Sequence, residues 1–573
     1  MSATTTPRVQ QLRLREHQVF LILSIVIGIV AGLAAVLFTV AIAQTTHRLF
    51  GLAPSRARLL AVPPLVSVVT GIMLAKFFPD VRGSGVPQTE AAYHLSNGVI
   101  RWRVPFGKFL TGVLCIGSGH SMGREGPSVQ IGAGIASGVG QWLGLSPKRT
   151  RDLIPVGAAG ALAAAFNTPV AAVLFALEEI IGDMNATLIG SAVVASVASV
   201  IVERSILGNE PLFHVPAYHL VHPAELVAYA ALGIVGGLVS LIFCKSLLWL
   251  RGVFLRLPPR TKMLQPAIGG VVIGAVLVVS PAIMGVGYDY VDQALNGGLL
   301  LKTMAVLCAL KLAATVVSYA SGNAGGIFAP SLYIGAMAGG AVGLLVRTFA
   351  PFPTAEPGAY ALVGMGTLFA GIIRAPMTSV FMIFEITQDY EILVPLMVAN
   401  MLSYMISRRF QPLPVYHALL QQDGIHLPTP STQAASNSRT AGHVMQSAAM
   451  LLSPDLTIEQ AWKMVAAESA RRYLVGADHH VIGTVDFEDL DAARARGDGE
   501  RSLWTVVDHD FVHAHPDQPI DVVVDRLAQS EGILPVVSRA DAHQLEGVVT
   551  LDGLLGNATH RSSREAQPAA PRQ

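Results

Sequence analysis

The sequence predicts an all-α, multi-pass membrane protein with a soluble α/β unit at its C-terminal end. Three observations carry that prediction. Of its 573 residues 52% are hydrophobic and only 13% charged, and the charges are unevenly distributed along the chain. From His17 through His47 there is no Asp, Glu, Lys or Arg, a stretch long enough to cross a bilayer, since about 20 helical residues suffice. After Tyr416 the apolar runs give way to charged helical patterns alternating with short β-rich runs such as those at 533–537 and 547–550.

The elements follow in order. Residues 1–17 carry Arg8, Arg13 and Arg15, a basic cluster that argues for a cytoplasmic N-terminus. A cleaved signal peptide is the alternative, since Ala41-Ile42-Ala43 resembles a cleavage site. The apolar run is too long for one, and many further apolar segments follow. They lie near 18–49, 57–78, 105–117, 126–143, 152–181, 186–203, 221–250, 264–284, 300–320, 328–349, 358–387 and 392–407. Several are broken by Pro or Gly into pieces too short to span hydrocarbon alone, such as Pro169 to Ile180. Interrupted helices of this kind occur where helix ends line a polar cavity. The expected organisation is a first membrane half over 18–205, a connection at 206–220 and a second half over 221–426. A Pro/Ser/Thr-rich linker at 427–440, the soluble unit at 441–497 and 505–556, and a disordered tail at 557–573 complete it.

An internal repeat links the two halves. With Ser118-Gly119 placed over Ser321-Gly322, Gly123, Pro127, Ser128, Ile131, Gly132 and Ala133 fall on Gly326, Pro330, Ser331, Ile334, Gly335 and Ala336. A second pair sets FNTPVAAVLFALEEI (166–180) over IRAPMTSVFMIFEIT (373–387), matching Pro169 with Pro376, Val173 with Val380 and Glu178 with Glu385. Matched residues are expected to build the shared scaffold. The unmatched carboxylates are Glu125, which falls on Phe328, and Glu179, which falls on Ile386.

Each Gly-x-x-x-Pro stretch ends a loop and opens a helix, with Pro expected near the first helical position. First-turn N–H groups lack intrahelical acceptors and carry the positive end of the dipole, so they can hold an anion. The run Gly83, Ser84, Gly85, Val86, Pro87 offers a third such terminus with a hydroxyl. Glycine-rich turns also serve close helix packing, and that alternative stands beside the anion reading. An ionised Glu in hydrocarbon costs about 2.5–3.5 kcal/mol or more, which makes Glu125 a functional candidate. Glu178 and Glu385, being matched, read as structural, and His120 as a turn residue without a partner. Cys115, Cys244 and Cys308 lie in apolar segments without metal-ligand spacing, so no metal site is expected. A net charge of +1 without a basic stripe gives no indication of nucleic acid. GSGHSMG lacks the spacing of a dinucleotide fingerprint and there is no P-loop.

GSGVP (83–87), GREGP (123–127), GGIFAP (325–330) and the tyrosine of PLPVYHALLQQDG (412–424), in this order over roughly 400 residues, resemble the CLC chloride channel and transporter family. The resemblance implies a homodimer in the lipid bilayer with one anion pathway per subunit, each subunit an inverted repeat of many tilted, partly broken helices. It implies that Ser84 and Tyr416 donate hydroxyls to a central chloride, and Ile327 and Phe328 backbone N–H groups. Gly83, Gly85, Pro87, Gly123, Arg124, Gly126, Pro127, Gly326 and Pro330 are then the scaffold of the anion site. Glu125 looks like the gating glutamate, and Glu179 like the inner proton acceptor of the exchanging members. The expectation is a proton-coupled chloride antiporter in a bacterial cytoplasmic membrane with both termini cytoplasmic, and not an enzyme. A gated chloride channel of the same fold is the alternative, and an intramembrane enzyme a remote one.

Residues 441–497 and 505–556 resemble a pair of CBS domains, the second more clearly, in HPDQPIDVVVDRLAQSEGILPVVSR. Such pairs often bind adenosine nucleotides through a Ser/Thr and an Asp three residues later. Here Thr550 is followed by Gly553, and Asp489 is preceded by Asp486, so each copy keeps half of the pair. No cofactor is expected, with an adenosine nucleotide at the CBS pair as the alternative.

Overall fold

Glycine and proline set where the membrane helices break. The computed structural model describes residues 7–183, 186–208, 212–213, 215–216, 218, 220–427, 440–446, 450–466, 471–530, 532–551 and 553–554. All but the ends of the expected linker, and the whole 557–573 tail, lie outside the described residues. The chain forms two units, Met1–Leu427 and Pro428–Gln573.

In the first unit the apolar runs are helices, among them Pro7–Phe50, Arg56–Lys76, Ala186–Leu207, Glu225–Arg256 and Leu301–Ala320. Among the described residues six helices are long and apolar enough to cross a membrane. The long runs at 152–181 and 358–387 are each broken just before a proline. The first becomes Pro147–Phe166 and Pro169–Phe175, the second Pro357–Ile372 and Pro376–Thr387. Asn167 (φ 58°) and Arg374 (φ 71°) take the left-handed turn at the two breaks. Val19, Ile22, Leu33 and Leu37 of the first helix are exposed, an apolar surface suited to lipid.

The two halves are held by contacts that repeat in register. A Cβ on Gly132 would meet Gly157 O at 2.2 Å, and one on Gly335 would meet Gly364 O at 2.3 Å. Matched glycines thus allow the same helix crossing in each half. Lys108 and Lys311, both fully buried, clamp matched loops: Lys108 Nζ donates to Val81 O and Gly83 O, each at 2.7 Å. Lys311 Nζ donates to Ile283 O (3.0 Å) and Gly285 O (2.7 Å).

Glu178 and Glu385 complete the reciprocity. Glu178 accepts from Met377 N (3.1 Å) and Thr378 N (2.7 Å) at the start of Pro376–Thr387. Glu385 accepts from Val170 N (2.9 Å) and Ala171 N (2.7 Å) at the start of Pro169–Phe175. Each half therefore caps the short helix of the other, as a two-fold relation between halves requires. Glu385→Ala is expected to destabilise the protein by about 1–2 kcal/mol, the range of a lost N-cap. A fall in melting temperature in detergent is the readout.

The second unit has a sheet of Leu451–Leu452, Arg472–Ala477 and His480–Asp486, and a hairpin of Ile533–Val537 with Leu545–Thr550. Its two copies are interleaved, whereas the boundaries at 441–497 and 505–556 divide the chain linearly. Ala441 and Val444 pack into the core of the second copy with Ala514, Val523 and Val549. Val506 and Val507, from the second stretch, pack against the core of the first with Leu452, Ile458 and Tyr473. The exchange is not visible in the sequence, because the exchanged segments are short and carry no periodicity.

Candidate ion-binding site

The four motifs of the sequence meet at the centre of the membrane unit. Gly123 and Gly326, equivalent in the repeat, bond to one another reciprocally, N–H to C=O at 2.8 Å both ways. Gly83 joins the same knot, donating to Asn323 O and accepting from Gly325 N, both at 3.1 Å. Three loops are thus tied together, and three helices start from them: Val86–Leu95, Glu125–Trp142 and Phe328–Phe349. Pro127 and Pro330 occupy the third position of their helices rather than the first, which shifts each helix start to Glu125 and Phe328. Proline is still within the first turn, where its missing N–H breaks no bond.

Close approach explains the glycines. A Cβ on Gly126 would lie 2.4 Å from Ser84 Oγ and 2.9 Å from Ser84 O. One on Gly123 would lie 2.3 Å from Glu125 Oε2 and 3.1 Å from Ala329 N. Gly83 (φ 79°) and Gly85 (φ 103°) also hold left-handed backbone on either side of Ser84. The sequence alternative of packing or anion binding is therefore not exclusive, since close packing brings the loops to one point.

At that point the hydroxyls of Ser84 and Tyr416 are both fully buried, and neither has a hydrogen-bond partner among the described residues. Ile327 precedes and Phe328 opens its helix, so their N–H groups are among those without an intrahelical acceptor. Phe328 is fixed by Phe166 (centroids 4.9 Å) and Phe369 (4.4 Å). Two hydroxyls and a helix N-terminus, with no lysine head group among them, suit a dehydrated anion that must also leave. Gly126→Ala should push the Ser84 hydroxyl aside and weaken anion binding at this point about tenfold, the low end of a hydrogen bond to a charged group. Calorimetric titration of the variant checks this.

Glu125 is completely buried in the first turn of Glu125–Trp142, where the helix dipole favours a negative charge. Tyr288 Oη donates to Glu125 Oε1 at 2.7 Å, while Oε2 has no hydrogen-bond partner among the described residues. Arg124 lies 4.0 Å from the carboxylate, and its guanidinium is 5.8 Å from the Tyr288 ring centroid. Glu179 lies in the π-helical stretch Ala176–Ile181, a widened turn that sends adjacent carboxylates apart. Glu178 reaches the neighbouring helix start, and Glu179 turns inward, 9% exposed, with Oε1 unpartnered among the described residues.

Tyr288 and the two clamping lysines were missed by sequence reasoning. The lysines carried a signal, since Lys108 and Lys311 stand at the same spacing as Gly123 and Gly326. His120 is not without partners: Ser67 Oγ lies 2.7 Å from Nε2 and Ser318 Oγ 3.3 Å from Nδ1. Both serines come from distant helices, out of reach of local reading. A cavity of about 940 Å3 reaches Gly83 and Tyr319 beside the site, and Arg82, Arg251, Arg260 and Lys262 line it. A basic vestibule of this kind concentrates anions.

The chain matches the sequence profile described as voltage gated chloride channel over residues 65–408, and the CBS domain over 504–558. It is 30% identical over 416 residues to a protein of Vibrio cholerae serotype O1 named H(+)/Cl(-) exchange transporter ClcA, a match covering 70% of this chain and 89% of that protein. A crystal structure described as a slow cyanobacterial Cl-/H+ antiporter is similar at a TM-score of 0.64 and 28% identity, over 70% of this chain and 97% of that one. A eukaryotic CLC transporter shares the fold at a TM-score of 0.63 and 19% identity, over 93% of this chain and 97% of that one. The knotted glycine loops, the reciprocal halves and these likenesses agree: the chain belongs to the voltage-gated chloride channel family and carries a CBS domain near its C-terminal end.

Proposed function

We propose that this protein exchanges chloride for protons across the membrane, as an antiporter. The observation that carries the reading is Glu179, a second inward-facing carboxylate that the repeat does not require. Chloride is held by the Ser84 and Tyr416 hydroxyls and the N–H groups of Ile327 and Phe328, which replace part of its hydration. Glu125, charged, competes for the same helix N-terminus; protonated, it gives way to chloride. Glu179 receives protons from the opposite side and relays them to Glu125, so that the two fluxes run in opposite directions. The exchange transporters and antiporters to which the chain is similar support this assignment.

The working unit in this reading is a homodimer in a bacterial cytoplasmic membrane, with both chain termini in the cytoplasm. The CBS unit is structural: Thr550 Oγ1 accepts from Gly553 N at 3.2 Å, and Asp486 is bonded to Arg472 at 2.8 Å. ATP or AMP binding to the full chain, measured calorimetrically, should be undetectable. Vesicles reconstituted with the protein test the main reading. An outward chloride gradient should drive protons inward against their own gradient, whereas chloride efflux without proton uptake would leave a passive channel.

A further inference from the structure

The membrane unit also buries carboxylates that the exchange reading does not use, and Glu90 is one of them. Glu90, on Val86–Leu95 one turn beyond the Ser84 loop, is completely buried, and neither carboxylate oxygen has a hydrogen-bond partner among the described residues. Glu179 lies on the Ala176–Ile181 stretch that packs against this helix, close enough for the two carboxyl groups to interact. An ionised carboxylate has no donor, so two facing carboxyl groups bond only while they hold a proton between them. The pair is therefore built to carry one.

A route from the pair to the surface is also present. His417, next to Tyr416 on Val415–Gln422, places Nε2 at 3.7 Å from Glu90 Oε2, with 39% of its side chain exposed against none of Glu90's. The other titratable groups near the imidazole are already engaged. His94, on the Glu90 helix, contacts Ile180 O at 3.1 Å. Arg374, which faces His417, donates to Pro412 O at 2.9 Å. Arg251, from the Glu225–Arg256 helix, is paired with Asp423 at 2.6 Å. Among the described residues Glu90 is the carboxylate paired with the ring.

We propose that His417 takes up protons from the aqueous side and delivers them through Glu90 to Glu179, making Glu90 a second proton-carrying carboxylate. The imidazolium releases its Nε2 proton to Glu90 Oε2 and regains one from bulk water. Glu90 passes its proton to Glu179 Oε1 and returns to the carboxylate. Histidine suits the outer step because its ordinary titration lies near neutral pH, and partial burial with Arg374 nearby lowers it here, which favours release of the proton; a small rotation of the ring closes the 3.7 Å separation.

The proposal rests on the exchange reading, and the test separates the two. In vesicles containing the full chain, His417→Gln keeps size and polarity but cannot titrate. It should slow coupled exchange about tenfold or more above neutral pH, steepen the fall of the rate with rising pH and keep the proton-to-chloride ratio. His417→Ala should be slowed likewise and recover on addition of imidazole, a rescue that a packing role would not give. Glu90→Gln should be slowed without imidazole rescue, and calorimetric chloride binding should be retained in all three. A wild-type rate and pH profile in His417→Gln overturns the proposal, as does a slowed His417→Ala that imidazole does not restore. If Glu179→Val still moves protons, the exchange reading itself fails; the histidine results alone leave that reading untouched.

Discussion

Replacing Glu179 with Val is expected to abolish proton movement while chloride still crosses. Valine is apolar and smaller than glutamate, so it can occupy the buried end of Ala176–Ile181 without leaving a charge unpaired. The groups assigned to chloride come from elsewhere: Ser84, Tyr416, Ile327 and Phe328. They keep their loops, because the Gly123–Gly326 and Gly83–Asn323 bonds do not involve Glu179. Glu178 keeps its bonds to Met377 and Thr378, so the scaffold role of the neighbouring carboxylate is preserved. With the relay cut, simultaneous recording of chloride efflux and external pH should show chloride movement with no proton signal above that of empty vesicles. Proton movement persisting at the wild-type ratio would remove Glu179 from the mechanism.

Glu125→Gln should leave chloride transport fast and independent of pH. The amide has the shape of the protonated acid and cannot compete as an anion for the helix N-terminus. Tyr288 can still donate to the amide oxygen, so the side chain is retained near its wild-type position. The wild type should speed up as pH falls, since protonation removes the competing charge; the variant should already be at the fast limit throughout. Flux measured over a range of pH reads this directly, and a steep pH dependence remaining in the variant would mean that another group gates the path.

Much of the architecture could be read in the chain because the two halves kept the same small residues. Glycines at 123, 132, 326 and 335 are fixed by backbone approach, and a position that admits no side chain shows through any other divergence. The matched Glu178 and Glu385 read as structural for the same reason, although the repeat did not show that each caps the other half's helix. That contact joins residues about 200 apart, which no local pattern encodes. The match between the Gly83–Gly85 and Gly285–Gly287 loops was hidden by a one-residue change of spacing and by Val286 standing opposite Ser84. Tyr288 follows that hidden loop, and so the partner of Glu125 escaped notice. Glu90 was overlooked because QTEAAYH (88–94) has the polar look of a solvated helix face, although its carboxylate points into the protein. The interleaved CBS copies escaped because boundaries drawn along a sequence cannot express an exchange of segments.

The central claim is that the chloride and proton movements are one coupled process. The zero-current potential of the wild-type protein in a planar bilayer, at a fixed chloride gradient and a varied pH gradient, tests it most directly. Coupled exchange predicts a potential that departs from the chloride equilibrium value and shifts with each added unit of pH difference. A potential that stays at the chloride equilibrium value at every pH difference would contradict the account.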